Sequence, residues 1–113
     1  MQQHNELKKY CLDIESIILE LEKIISHHNS DYNDFNAAFI SIRAVERDLM
    51  IIGEAIGKIL KLNESVHISS AKQIVGLRNM IVHAYDAIDP AVLWKILIKD
   101  IPILKAEIAN LKN

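Results

Sequence analysis

Between Ala38 and Ile59 the apolar residues Ala38, Ile42, Val45, Leu49, Ile52, Ile56 and Ile59 advance by alternating steps of four and three. That spacing keeps all seven on one side of an α-helix and is incompatible with the two-residue alternation of a strand. Three heptads are too few for a long coiled coil, so the stripe reads as the core-facing side of a helix inside a bundle. A chain built around such a stripe must supply other helices with matching faces.

It does. Leu7, Tyr10, Ile14, Ile17, Leu21 and Ile24 step by three and four with charged residues between them, which predicts an amphipathic first helix with one buried stripe. Good helix formers give way to cap and turn residues at His27-His28-Asn29-Ser30, where that helix should stop. The adjacent His27 and His28 face different directions and have no third ligand at helical spacing, so exposed histidines are expected there and no metal site. After a polar connection over residues 30–34, helix character resumes and runs to about Lys61. Residues 62–67 read as a loop, with Ser69 or Ser70 available to cap a third helix whose buried line is Ile74, Leu77, Ile81 and Ala84. Asp89-Pro90 is a helix-start signal, an N-cap followed by a proline in the first turn. The last helix carries Val92, Leu93, Ile96, Leu97, Lys99, Ile103, Leu104 and Ile108, Trp94 serves as a packing anchor, and Pro102 predicts a kink or a restart near Asp100-Ile101.

Composition agrees with an all-α chain. Of 113 residues, 50% are apolar and only five are Gly or Pro, a length and content that fit one domain over residues 1–113 with a sizeable core. No apolar run approaches the roughly 18 residues of a membrane span, and the first residues lack the basic-then-apolar order of a secretion signal, so a cytoplasmic location is expected. The lone Cys11 excludes an internal disulfide and a thiolate cluster, and is expected to pack as a small apolar residue. A formal net charge of −2 argues against an indiscriminate, strongly basic nucleic-acid binder. Residues 37–85 nevertheless hold six Lys or Arg against four Asp or Glu, a local excess permissive for a phosphate-bearing partner.

The chemistry is concentrated in Arg78-Asn79-Met80-Ile81-Val82-His83-Ala84-Tyr85. At about 100° per residue, Arg78 and Tyr85 point almost the same way, Asn79 and His83 share a neighbouring line, and Arg78 and His83 diverge by about 140°. One straight helix cannot easily aim both at a single atom, so a site using the pair needs a helix end near His83 or a second copy of the helix across a dimer interface. A bland role as capping or snorkelling side chains at a helix end is the structural alternative. On the preceding helix Arg47 and Glu54, seven apart, share a face, and Gly53 beside Glu54 permits a close approach. These two are either a solvated face or a supporting layer that orients the motif.

Without a nucleophilic cysteine, a carboxylate cluster or a metal constellation, Arg, His, Asn and Tyr suit cleavage of RNA by its own 2′-hydroxyl. His83 would move the proton and Arg78 would hold the scissile phosphate and its developing charge. Asn79 would position a phosphate oxygen or fix the His83 tautomer, and Tyr85 would bond to phosphate or stack on a base. Neither a metal nor a cofactor is required.

Arg78, four intervening residues, His83, one more, then Tyr85, with Asn79 directly after the arginine, resembles the signature of the HEPN ribonucleases, in particular the HepT-like toxins of toxin–antitoxin pairs. The segment from Ala44 to Ala55, the block Gly76-Leu77-Arg78-Asn79 with Val82 to Asp86, and Asp89-Pro90 followed by Trp94 and Asp100-Ile101-Pro102 are also similar, so the resemblance covers roughly residues 5 to 110. Ala71-Lys72-Gln73 departs from it, many relatives having a Trp there. The resemblance implies an antiparallel four- to five-helix bundle that forms a two-fold dimer with both motifs in one cleft. It implies a metal-independent endoribonuclease with Arg78 and His83 catalytic and Asn79 and Tyr85 in the site. It also implies an MntA-type nucleotidyltransferase antitoxin as partner, able to transfer AMP to Tyr85, where added anions would occupy and neutralise the phosphate site. The rival from another class is a catalytically silent bundle that presents substrate or nucleotide to a separate nucleotidyltransferase.

Overall fold

A computed structural model describes the backbone of residues 2–83 and 88–113 and the side chains of residues 3–81 and 88–113. Among the described residues the chain is all helical: α1 (Gln2–His27), α2 (Tyr32–Asn36), α3 (Phe39–Leu62), α4 (Ala71–His83), α5 (Pro90–Lys95), a π-helical turn (Ile96–Asp100) and α6 (Ile101–Lys112). Helix α3 is the central member and packs on both α1 and α4, while α6 lies along α1. Polar contacts fix the directions. Gln3 at the start of α1 donates to the Leu62 carbonyl at the end of α3 (3.0 Å), and Lys105 and Lys112 of α6 reach Glu22 (2.8 Å) and Glu15 (3.0 Å) of α1. Both pairings run antiparallel.

The α3 stripe behaves as its spacing requires from Val45 onward: Val45, Leu49, Ile52, Ile56 and Ile59 are all inaccessible to solvent. Burying each contributes about 1.5–3 kcal/mol. Ala38, expected to open the stripe, is instead the residue before α3, because a separate short helix intervenes. Asp31 caps that helix, its carboxylate accepting from the Asn33 N–H (2.9 Å), so the polar connection expected over residues 30–34 is already the start of α2. The helix drives Phe35 into the core against Trp94 (ring centroids 5.1 Å apart), and Tyr32 lies 6.0 Å from the same indole. Trp94 is thus the anchor that joins α2 to α5.

On α1 the buried line is Cys11, Ile14, Ile18 and Leu21, with Leu7, Tyr10, Ile17 and Ile24 packed along its flank. The stripe is rotated slightly from its expected centre because α1 is shared between α3 and α6. Burial pushes the Cys11 thiol up from its ordinary pKa, with Glu15 adding to the effect and Lys112 opposing it. Cys11 packs as a small apolar core residue, as its position predicts.

The histidine pair departs from expectation. His28 is buried, with Nδ1 2.6 Å from the Asp34 carboxylate and Nε2 2.7 Å from the Ser41 hydroxyl. With Nδ1–H donating to the carboxylate, a neutral ring accepts the Ser41 O–H at Nε2, so both nitrogens are satisfied. The cause is the chain reversal after α1. Asn29 and Ser30 take positive φ (54° and 56°), the Ser30 N–H bonds to the Ile25 carbonyl and the Asn29 N–H to that of Ser26. That is a left-handed helix cap of the Schellman kind, and it turns the chain so that α2 and the first turn of α3 close over the ring.

Asp89 caps α5, accepting from the Ala91 N–H (2.9 Å) with Pro90 in the first turn. Pro102 breaks the last helix where expected. It has no N–H for the Ile98 carbonyl, and the preceding turn widens so that the Ile101 N–H reaches back five residues to Ile96. Of this last stretch Leu93, Ile96, Leu97, Ile101, Leu104 and Ile108 face the core, while Val92 and Ile103, expected on the buried line, are exposed. Ser70 precedes α4, but its hydroxyl has no hydrogen-bond partner among the described residues, while the Ser69 N–H and hydroxyl both bond to Glu107 of α6. Ile74 and Leu77 are buried on α4 as expected, and Ala84 lies outside the described residues. No helix among the described residues is long and apolar enough to cross a membrane.

Candidate active site

The site is set by how closely α4 lies on α3. A Cβ placed on Gly53 would sit 2.7 Å from the Cβ of Arg78, 3.1 Å from the Ile74 carbonyl oxygen and 3.2 Å from the Arg78 Cγ. Any side chain at residue 53 would force the two helices apart, so this glycine is what permits the stem of Arg78 to cross α3 in contact with its backbone. Leu77 and Ile74 hold the buried side of α4, and Arg78, next along the chain, emerges at the seam.

The guanidinium is steered but not saturated. Arg78 Nη2 donates to Glu54 Oε1 across the seam (3.3 Å), and Nη1 donates to Oδ1 of the adjacent Asn79 (3.0 Å). Nε makes no hydrogen bond among the described residues. Two of the five N–H donors of the fork are therefore used among the described residues. At 33% and 46% side-chain exposure, the Arg78–Glu54 pair is screened by solvent; it orients the side chain and adds at most about 1 kcal/mol of stability.

Arg78 and Asn79 stand at one end of an open groove of about 270 Å³ between α3 and α4, floored by Gly53 and Gly57 and flanked by Lys58 and Lys61. A planar guanidinium lining an open, cation-lined groove is suited to hold a phosphodiester oxygen.

Of the six candidate site residues, Arg78, Asn79 and Glu54 are brought together by direct hydrogen bonds. Arg47 is not among them. It is exposed and turns to the neighbouring Asp48 (3.5 Å) rather than toward Arg78, although it shares a face of α3 with Glu54. The backbone of His83 is helical and continues α4, while its side chain and the whole of Tyr85 lie outside the described residues.

Three features went unread in the sequence. Lys58 and Lys61 follow Glu54 at intervals of four and three, and Gly57 follows Gly53 by four, so helical spacing alone could have placed them beside the motif. The third is Asp48. Burial raises its carboxyl from the ordinary 3.8 to about 6, Glu20 of α1 adds to this by its charge and a hydrogen bond, and Arg47 opposes it. Two carboxyls this close favour a shared proton, and Oδ2 of Asp48 is buried with no hydrogen-bond partner among the described residues.

The chain is similar to known proteins over nearly its whole length. The family model described as "Ribonuclease HepT-like" matches residues 7–111. A Methanocaldococcus jannaschii protein named "Putative RNase MJ1380" is 42% identical over 107 residues, covering 91% of this chain and 94% of that protein. "Probable ribonuclease HepT" of Thermococcus cleftensis is 32% identical over 107 residues (94% of this chain, 96% of that one). "Putative RNase TTE0752" of Caldanaerobacter subterraneus is 29% identical over 100 residues (87% and 89%). No solved structure is significantly similar.

Proposed function

We propose, from the premise that this chain belongs to the ribonuclease HepT-like family, that it is an endoribonuclease and the toxin of a toxin–antitoxin pair, acting on cellular RNA in the cytoplasm. Arg78 holds the scissile phosphate, and His83 transfers the proton that lets the neighbouring 2′-hydroxyl attack it. The ribose supplies the nucleophile, so no metal ion is needed to generate one. The observation that carries this proposal is the position of Arg78, tethered by Glu54 and lining an open groove between α3 and α4, on the helix that also carries His83.

Arg78 and His83 diverge by about 140° around one helix, so the complete site is a composite of two chains in a two-fold dimer. Each chain's guanidinium faces the imidazole of the other across one phosphodiester. Asn79, whose carbonyl oxygen accepts from Arg78, orients the fork and leaves its own amide N–H groups for a phosphate oxygen. The products are a 2′,3′-cyclic phosphate and a free 5′-hydroxyl, with the 2′ proton leaving to one general base and a proton returning to the departing 5′ oxygen.

The partner is a nucleotidyltransferase antitoxin of the MntA type, and its target is Tyr85. AMP added two residues from His83 would place an anion where the substrate phosphate belongs and silence the enzyme.

Expression of the wild type and of His83→Ala in bacteria tests the assignment. Growth arrest with RNA ends carrying 2′,3′-cyclic phosphate, both abolished by His83→Ala, is the expected result. Normal growth and intact RNA with a folded wild-type protein would overturn it. Mass spectrometry after co-expression with a cognate nucleotidyltransferase checks Tyr85, with Tyr85→Phe expected to lose every AMP increment.

A further inference from the structure

Beyond Arg78, the same groove has a built direction. Glu54, Lys58 and Lys61 succeed one another on one face of α3, four and three residues apart, and Gly53 and Gly57 form the adjacent line. From the level of Glu54 to that of Lys61 the groove runs about 10 Å along the helix, roughly the rise of three stacked nucleotides. Its charge stands against that of the chain. Three cations, Arg78, Lys58 and Lys61, share the lining with one carboxylate, Glu54, which is already tied to Arg78, whereas the whole chain carries a formal −2. The depression on the opposite side of the same α3 ridge has the reverse balance, with Asp13 and Glu54 against Lys58. Lys58 stands on the ridge and lines both; its Nζ lies 5.7 Å from the Tyr10 ring on the acidic side and reaches the groove by a rotamer change of its exposed side chain.

The floor is shaped to match. At Gly53 a Cβ has no room because Arg78 fills the space, but at Gly57 an added Cβ would meet nothing within 4 Å. One glycine admits the arginine, and the other leaves an open place beside Lys58 and Lys61 where a backbone of another kind can lie against the helix.

We infer that this glycine-floored groove is the track for the single-stranded RNA backbone leading away from the scissile bond, with Lys58 and Lys61 binding phosphates next to the one Arg78 holds. The inference rests on the ribonuclease assignment and names the side on which the flanking nucleotides lie. Two packed helices with axes about 8–10 Å apart leave room for one strand, so the ligand is an unpaired segment and not a duplex, which proteins read across a wide, shallow minor groove.

The test measures binding of a fluorescein-labelled single-stranded RNA by anisotropy across a KCl series, in the His83→Ala background so that the RNA survives. Lys58→Gln with Lys61→Gln is expected to weaken binding at least about tenfold at low salt. It should also lower the slope of log Kd against log salt by about 1.4, since each phosphate contact on a single strand contributes about 0.7. Gly57→Glu, which has space for its side chain and places a carboxylate on the floor, is expected to weaken binding by a similar factor without altering the thermal midpoint by more than a few degrees. Lys8→Gln with Lys23→Gln, two exposed lysines of α1 outside the groove, should change neither slope nor affinity.

An unchanged slope in the Lys58, Lys61 variant, or a slope lowered equally by the α1 variant, would overturn the inference even where wild-type protein cleaves RNA. Groove-dependent binding by a wild type that cleaves nothing would support the track and remove the ribonuclease assignment instead. Displacement of the RNA by equimolar AMP would likewise overturn the track in favour of a mononucleotide pocket.

Discussion

The turn around His28 and the crossing of α3 over α4 at Gly53 both place polar side chains against an aliphatic bundle, and they are completed in different ways. At His28 both ring nitrogens are bonded within 2.7 Å, and the ring stacks edge-on against Phe35 at 5.9 Å. The sequence of groups, carboxylate to imidazole to hydroxyl, is the one a serine hydrolase uses, but here it closes a chain reversal. At Gly53 the guanidinium of Arg78 has one long ion pair, one bond to its neighbour and a groove in front of it. A saturated buried network contributes to stability and specifies one packing, whereas a cation with two bonds among the described residues beside open space has geometry suited to a ligand. The difference distinguishes polarity closed within the fold from polarity open to a groove.

Substitutions that exchange the behaviour of the two regions would break this contrast. The largest effect is expected at Arg78→Ala, which keeps the Cβ packed on Gly53 but removes the fork. Cleavage of RNA under single-turnover conditions should fall by about 10²–10³-fold, while the denaturation midpoint moves by less than the equivalent of about 1 kcal/mol. Gly53→Ala comes next, because the new methyl has to be accommodated between Arg78 and the Ile74 carbonyl. A loss of about 1–3 kcal/mol in chemical denaturation should accompany a drop in cleavage, since Arg78 is displaced with α4.

His28→Ala should show the opposite pattern, losing about 2 kcal/mol of stability as the Ser41 hydroxyl loses its partner and a cavity opens beside Phe35. Turnover per folded molecule should remain that of the wild type. Asp48→Asn sharpens the contrast by pH. Wild-type Asp48 holds its proton in the folded state up to about pH 6, whereas the unfolded chain releases it near 3.8. Between those values the folded state binds more protons, so Asp48 favours folding below about pH 4 and that advantage is lost as pH rises through 6. The Asn variant should lack this decline and exceed the wild type by about 1–2 kcal/mol above pH 6 in urea titrations across pH. Gly57→Ala carries the smallest effect, a gain of up to about 1 kcal/mol from helix propensity, because its Cβ meets nothing.

The contrast also explains what could be read from the sequence. The stripe from Val45 to Ile59, the Asp89-Pro90 start and the Pro102 break rest on local rules of period, capping and missing donors, and these fix the bundle without any knowledge of tertiary contacts. Gly53 with Glu54 was legible for the same reason: a small residue beside a polar one on a helix marks a close approach. His28 was not legible, because its partners lie 6 and 13 residues away and meet the ring only through two left-handed residues, Asn29 and Ser30. Sharing a face with Glu54 does not bring Arg47 to Arg78: two helical turns separate Arg47 from Glu54 along α3, and its side chain turns to the adjacent Asp48. Lys58 and Lys61 were legible from their spacing to Glu54, but that the groove they line also takes Arg78 follows only from the packing of α4 on α3.

The proposed composite site pairs Arg78 of one chain with His83 of another, because the two diverge by about 140° around a single helix. Mixing purified Arg78→Ala with His83→Ala, after brief denaturation and joint refolding to exchange subunits, tests this directly. Each variant alone should be inactive, and the mixture should recover a substantial part of wild-type cleavage, because a mixed dimer contains one site with an intact arginine from one chain and an intact histidine from the other. A mixture that stays inactive, while wild type treated identically cuts RNA and mixed dimers are seen by native mass spectrometry, would contradict it.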